Sequence, residues 1–170
     1  MAHHDPALID FEASCLPEYG QSYPIEVAVA RTDGESRSWL IRPTPRWQTW
    51  DWSSEAEALH GITRAMLECD GLPPAQVLAE MIEFVGSCDV YSDADLDQYW
   101  LEVLCHELGA ALPFPIRFLG EWMAGRGLSR EQVDAALEEA KRRLPKAHHA
   151  REDAKRLALV VSLLMEEQPA

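Results

Sequence analysis

Leu8-Ile9-Asp10-Phe11-Glu12 is the stretch on which the fold and the chemistry of this chain turn. Side chains at i and i+2 of a strand face the same way. A strand here puts Asp10 and Glu12 on one face and Ile9 and Phe11 on the other. Two carboxylates held together repel each other unless a cation joins them. A strand-borne site for a hard metal ion is one reading of the pair. Two ordinary polar residues on a half-exposed strand is the other, and the pair alone does not choose between them.

Outward from this stretch, residues 7–13 form a first strand, and Pro17, Gly20 and Pro24 mark the loop after it. Residues 25–30 read as a second strand. Asp33-Gly34 is a hairpin signal, so residues 38–41 make a third strand antiparallel to the second. The loop 42–54 holds Pro43, Pro45, Trp47, Trp50 and Trp52. Its aromatics either fill a core or lid, or stack on a base or sugar. Residues 54–59 form a short helix, broken at His60-Gly61-Ile62-Thr63, and Thr63 caps a further short turn.

The second half alternates helices with short strands. Val77, Leu78, Met81, Ile82 and Val85 recur at helical spacing between Pro74 and Gly86. Residues 88–91 are a strand. Ser92 reads as a helix cap with Asp95 as its capping-box acid. That helix runs through Leu96, Trp100 and Leu104 to near Gly109. A strand at 116–119, a short helix at 120–124 and a Ser129-capped helix at 130–143 follow, closed by Pro145. The last helix spans about 148–166, with Leu157, Val160, Val161 and Leu164 on its apolar stripe. The expected fold is α/β: a mixed central sheet opening with a three-strand antiparallel meander, helices on both faces, in one domain over residues 7–166.

The chain has 170 residues, enough for one domain that buries about 70% of its unfolded surface. Its formal charge of -14 disfavours long-range attraction to nucleic acid or anionic membranes. Bound divalent ions would offset part of that charge locally. Short or single-stranded ends are therefore expected over long duplexes. No run reaches the 18 apolar residues of a membrane span, and the N-terminus lacks a signal-peptide pattern. Cys15, Cys69, Cys88 and Cys105 are widely spaced with no CxxC, which points to a reducing, cytoplasmic setting. Dinucleotide, P-loop and serine-elbow motifs are missing. Cys105-His106-Glu107 is not HExxH, and it is expected on the polar side of its helix.

Further acids could join the first pair. Asp93, Asp95 and Asp97 lie near a helix N-terminus, where acids are favoured in any case. Asp97 follows Leu96 and should stand at the edge of the buried face. Asp153 extends the stripe of Leu157, Val160 and Leu164 back by one turn, and an acid on a core-facing stripe needs a partner. His148 and His149 precede it, and either has the pKa of a general base. Spacing does not choose between them. The basic residues within 141–146 either solvate a helix end or sit near a phosphate backbone.

Taken together, these motifs resemble the DEDDh branch of the 3'–5' exonucleases, within the ribonuclease H-like fold. The group includes ribonuclease T, oligoribonuclease and the proofreading subunit of bacterial DNA polymerase. The strand motif D-x-E is matched at Ile9-Asp10-Phe11-Glu12-Ala13. The second motif, H-N-A-x-F-D-x-x-F-L in the family, stands here as Ser92-Asp93-Ala94-Asp95-Leu96-Asp97-Gln98-Tyr99-Trp100-Leu101 and keeps Asp97. The third, H-x-x-x-x-D-A, is matched from His148 to Asp153-Ala154, and His60-Gly61-Ile62 resembles the family's H-G-I segment.

The resemblance implies two-metal hydrolysis of phosphodiester bonds to nucleoside 5'-monophosphates, with two Mg2+ or Mn2+ ions per site about 3.5–4 Å apart. Asp10, Glu12, Asp97 and Asp153 would hold the ions, and His148 would be the general base. Phe11, Ala13, Leu59 and His60 would seat the terminal nucleotide of an RNA or single-stranded DNA substrate. A homodimer is compatible with this reading. The alternatives are an exonuclease-like domain that binds nucleic acid or protein without cutting, and a plain scaffold. Neither explains a full carboxylate set with Asp153 on an apolar stripe.

Overall fold

The structure is a computed structural model, and it describes residues 5–145 and 149–166. Five strands form one sheet: β1 (Pro6–Ala13), β2 (Pro24–Arg31), β3 (Ser36–Leu40), β4 (Asp89–Ser92) and β5 (Ile116–Phe118). Their order is β3-β2-β1-β4-β5. The first three are antiparallel neighbours, while β4 pairs parallel with both β1 and β5. The β2–β3 turn closes with the Arg31 N–H donating to the Glu35 carbonyl at 2.8 Å, with Gly34 at φ +94°. That is the expected meander, and the later strands add to its β1 edge.

Among the described residues, seven α-helices cover the sheet: α1 (Ser54–His60), α2 (Arg64–Asp70), α3 (Pro74–Val85), α4 (Leu96–Glu107), α5 (Leu119–Gly125), α6 (Arg130–Arg143) and α7 (Ala150–Glu166). Their ends follow from local chemistry. Ser53 caps α1 by accepting the Ala56 N–H, and Thr63 caps α2 by accepting that of Met66. Ser129 and Gln132 form a reciprocal capping box on α6.

Strand alternation sorts the core into two layers. Ala7, Ile9, Phe11, Val27 and Val29 pack with Val77 and Met81 of α3 and Leu101 and Leu104 of α4. Leu8, Ala28 and Ala30 pack on the other side with Leu119, Ala140, Leu157 and Val161 of α5–α7. The aromatic loop belongs to the first layer. Trp47 is fully buried and stacks on Tyr23 at 5.6 Å, with Trp50 and Trp52 tilted around the same ring. Core packing is thus the role these tryptophans fill.

Three local expectations are corrected. Ser92 does not cap a helix: α4 begins at Leu96 behind Asp95, which makes no side-chain cap bond. The Ser92 hydroxyl is engaged instead with Asp97 and the Ala94 N–H. Cys105 lies in the core at 2% exposure rather than on the polar side, because its position follows Leu101 by one turn. The third strand stops at Leu40, and Ile41 makes an isolated parallel bridge to Leu72.

The feature that positions the site is an alanine seam. Ala28 and Ala30 of β2 are buried in the same cluster as Ala150, Ala154 and Ala158 of α7. Small side chains let the helix lie close across β1 and β2. Ala28 is fully buried and is the register partner of Asp10. Replacing Ala28 by Leu should overpack this seam and lower stability by about 1–3 kcal/mol. Urea denaturation would measure it, and an unchanged midpoint would contradict the tight seam.

Candidate active site

Three carboxylates converge where α7 crosses β1. Asp10 and Glu12 point to the α7 side of the sheet with Leu8, as the two-residue period of β1 dictates. Asp153 comes from the first turn of α7. One carboxylate oxygen from each lies within 4.8 Å of the other two. All three side chains are half-buried. Asp153 also meets Nη1 of Arg156 at 3.4 Å, and Arg156 Nε donates to the Leu144 carbonyl at 2.9 Å. The partner demanded by an acid on this stripe is therefore Arg156, while the β1 pair adds like charge beside it.

Asp97 sits beside this trio but outside it, among the described residues. It is not at the edge of the buried face as expected; it is 1% exposed. Its Oδ1 accepts the backbone N–H of Phe11 at 3.0 Å, and its Oδ2 accepts the Ser92 hydroxyl. The cause lies in the sheet. β4 pairs with β1 only over Pro6–Leu8, so the Phe11 N–H has no strand partner on that side. A buried amide needs an acceptor, and Asp97 supplies it.

The electrostatics follow from this crowding. Burial, then the charges of Asp97, Glu12, Asp153 and Asp93, push Asp10 up to about 10. Burial, then Glu26, Asp153 and Asp97, push Glu12 up to about 7. Burial also lifts Asp97 to about 7, against the hydrogen bonds from Ser92 and Phe11. Such a set is poorly matched to empty water and well matched to a cation. With oxygen donors alone, it fits a hard divalent ion.

Beside Glu12 opens a cavity of about 270 Å³. Phe11, Ala13, Leu59 and His60 all line it, together with Tyr19 and Trp100. Tyr19 and Leu59 stand at its rim, 72% and 58% exposed. Among the described residues its lining includes the acids Glu12 and Glu55 and no Lys or Arg. It suits an uncharged, flat or apolar group. His60 is buried, and its Nδ1 accepts the Ile62 N–H at 3.0 Å. Burial holds this imidazole below its ordinary pKa, against the pull of the Ala13 carbonyl.

The expected base, His148, lies outside the described residues. His149 immediately precedes α7, and its carbonyl accepts the Asp153 N–H at 3.0 Å. One neighbour escaped the sequence reading, Glu26, whereas Asp93 and Ser92 stand in the second motif already singled out. Glu26 carried no motif signal, since its place beside Glu12 depends on strand register.

A stability measurement checks the electrostatics. Asp10 has its folded pKa raised from 3.8 to about 10, so metal-free protein loses stability progressively as pH rises through that window. Asp10→Asn removes the loss. At pH 7.5 in chelator it should be more stable than the parent by on the order of 2 kcal/mol, or roughly 5 °C in Tm. The gain should shrink towards pH 4 and grow towards pH 9. Equal melting curves at pH 8 would contradict a crowded, desolvated Asp10.

No protein-family model matches the sequence, and no curated protein matches it. Solved structures do. A 3'-exonuclease described for 3'-end-specific recognition of a histone mRNA stem-loop superposes with a TM-score of 0.73 at 18% identity, covering 98% of this chain and 65% of its own. E. coli Exonuclease I in complex with a dA16 oligonucleotide gives 0.71 at 15% identity, covering 98% of this chain and 42% of its own. Exonuclease I from Methylocaldum szegediense gives 0.64 at 18% identity, with 98% and 41% covered. This chain therefore spans less than two thirds of the length of each of these proteins. These structural neighbours are 3'-exonucleases and Exonuclease I, and this chain shares their fold.

Proposed function

We propose that the protein is a metal-dependent 3'–5' exonuclease that releases nucleoside 5'-monophosphates from RNA or single-stranded DNA. One observation carries this reading: Asp10, Glu12 and Asp153 converge from two elements beside an apolar cavity, within a 3'-exonuclease fold. Asp10, Glu12 and Asp153 would hold a first Mg2+ or Mn2+ ion. Asp10 would share a second with Asp97, reached in part through water. Such ions, when bound, activate water and neutralise charge at the scissile phosphate.

The chain's own residues do the rest. Phe11, Ala13, Leu59 and His60 seat the terminal nucleoside, whose base and sugar carry no charge into a cavity lined, among the described residues, by no Lys or Arg. Asp97 fixes the backbone of Phe11 and so the floor of that cavity. His148 takes the proton from the attacking water. The water oxygen bonds to phosphorus as the bond to the preceding 3' oxygen breaks. The shortened strand leaves with a 3'-hydroxyl and the end nucleotide as a 5'-monophosphate.

Incubation with 3'- and 5'-labelled single-stranded RNA and DNA, with Mg2+ or Mn2+ and with chelator, tests the reading. Stepwise release of 5'-mononucleotides from the 3' end is expected, lost in chelator. Asp10→Ala and His148→Ala proteins with unchanged circular dichroism should lose all but a trace of turnover. Retained activity in both would sink the mechanism.

A second comparison concerns substrate length. The charge of -14 gives long strands little electrostatic gain. Oligomers of about two to five nucleotides should be cut at least as fast as long strands, and faster than duplexes. Fastest cleavage of long duplex at moderate salt would overturn that preference.

A further inference from the structure

We infer that Glu26 is a positioning residue that sets the start of α7 and, through it, the distance of Asp153 from Asp10 and Glu12. The inference rests on the metal-site reading above and adds to it a residue outside all three motifs.

Register places Glu26 directly across from Glu12 in the β1–β2 pair. It therefore faces α7, as Asp10 and Glu12 do. Its half-buried carboxylate reaches the backbone N–H of Ala150, the first residue of α7, and is placed to accept it. The first N–H groups of a helix have no intrahelical acceptor. The intrahelical ladder begins with the Asp153 N–H on the His149 carbonyl, so the Ala150 N–H needs a partner from elsewhere. Ala150 is fully buried, which shuts water out of that role.

The consequence is geometric. Asp153 lies three residues after Ala150, within the same turn. The β1–β2 pair thus carries two of the converging carboxylates on one strand and, on its neighbour, the anchor of the turn that brings the third. Arg151 adds a tie from this turn to β3, donating from Nε to the Ser36 hydroxyl and from Nη2 to the Ser36 carbonyl, each at 3.2 Å. Arg151 is exposed, whereas the Glu26 bond is made inside the seam. The inner bond fixes how deep the turn sits, and the outer one fixes its swing.

Two variants separate this role from charge and from bulk stability. Glu26→Gln keeps an acceptor and loses the charge; Glu26→Met keeps the length and loses the acceptor. Mn2+ binding by calorimetry is read in both, alongside kcat and KM on a short single strand. Glu26→Met should bind Mn2+ about tenfold more weakly and lose about 10–100-fold in kcat, with KM within about twofold. Glu26→Gln should stay within about threefold of the parent in both readouts.

Equal losses in the two variants would mean that charge is what the site uses, and the positioning role falls. A lower Tm in Glu26→Met with unchanged Mn2+ affinity and kcat would reduce Glu26 to a structural contact and also overturn it. If Glu26→Met does not fold, Ala150→Pro deletes the same bond from the donor side, at a helix position that tolerates proline, and carries the same expectation. Mn2+ binding does not require nuclease activity. Failure of the exonuclease reading would leave that arm intact, and failure of the arm would leave the exonuclease assay intact.

Discussion

The close approach of α7 to the sheet is the constraint on which the rest of the structure depends. Ala28 and Ala30 on one side, and Ala150, Ala154 and Ala158 on the other, remove the bulk that normally separates a helix from a strand. Alanine costs no side-chain entropy on burial, but it also contributes little apolar area. The adhesion comes from Leu157, Val160, Val161 and Leu164, farther along the same helix. The alanines set distance and the branched residues supply energy. Asp153 sits at the end of the helix where distance matters more.

That closeness has an electrostatic consequence. Asp10, Glu12, Asp97 and Asp153 are brought together with Asp93 and Glu26 around them, in a place where burial alone disfavours charge. Folding without a cation therefore retains protons on groups that are ionised in the unfolded chain. A divalent ion must displace those protons, so its affinity rises with pH. The same arrangement that weakens the empty fold would strengthen one that holds a cation. This is the usual form of opposition between stability and activity at a functional site.

The sequence shows the scaffold more clearly than the contacts. The first strand is readable because Leu8, Asp10 and Glu12 alternate with Ile9 and Phe11, and strand period alone then fixes their faces. The helices at 74–85 and 130–143 are readable because Pro74, Gly86 and Ser129 punctuate them. Asp97 was misplaced for a physical reason. The apolar stripe of α4 describes how that helix meets the core, but not that the Phe11 N–H lacks a strand partner. Ser92 looks like a cap because its spacing to Asp95 is right, and the rival acceptor, Asp97, lies only two residues farther on. Glu26 looked like any polar residue in an alternating strand. Its partner is 124 positions away, and only pairing register and helix docking reveal it.

The cavity beside the carboxylates turns the overall acidity from an objection into a constraint on recognition. Polyanion binding commonly draws on lysines and arginines that displace counterions along the backbone. Here the cavity lining offers Phe11, Leu59, Tyr19 and Trp100 with Glu12 and Glu55, and no Lys or Arg among the described residues. A strand end entering it gains from burying and stacking an uncharged base, a contribution of about 1–3 kcal/mol per base that is tolerant of sequence. In the exonuclease reading proposed above, the phosphate that matters would be the single scissile one, and the positive charge it meets would be carried by ions held at Asp10, Glu12 and Asp153. Recognition of an end and competence to cut it would then depend on the same three carboxylates. A protein of this charge would hold its substrate weakly along its length and act where the chain stops.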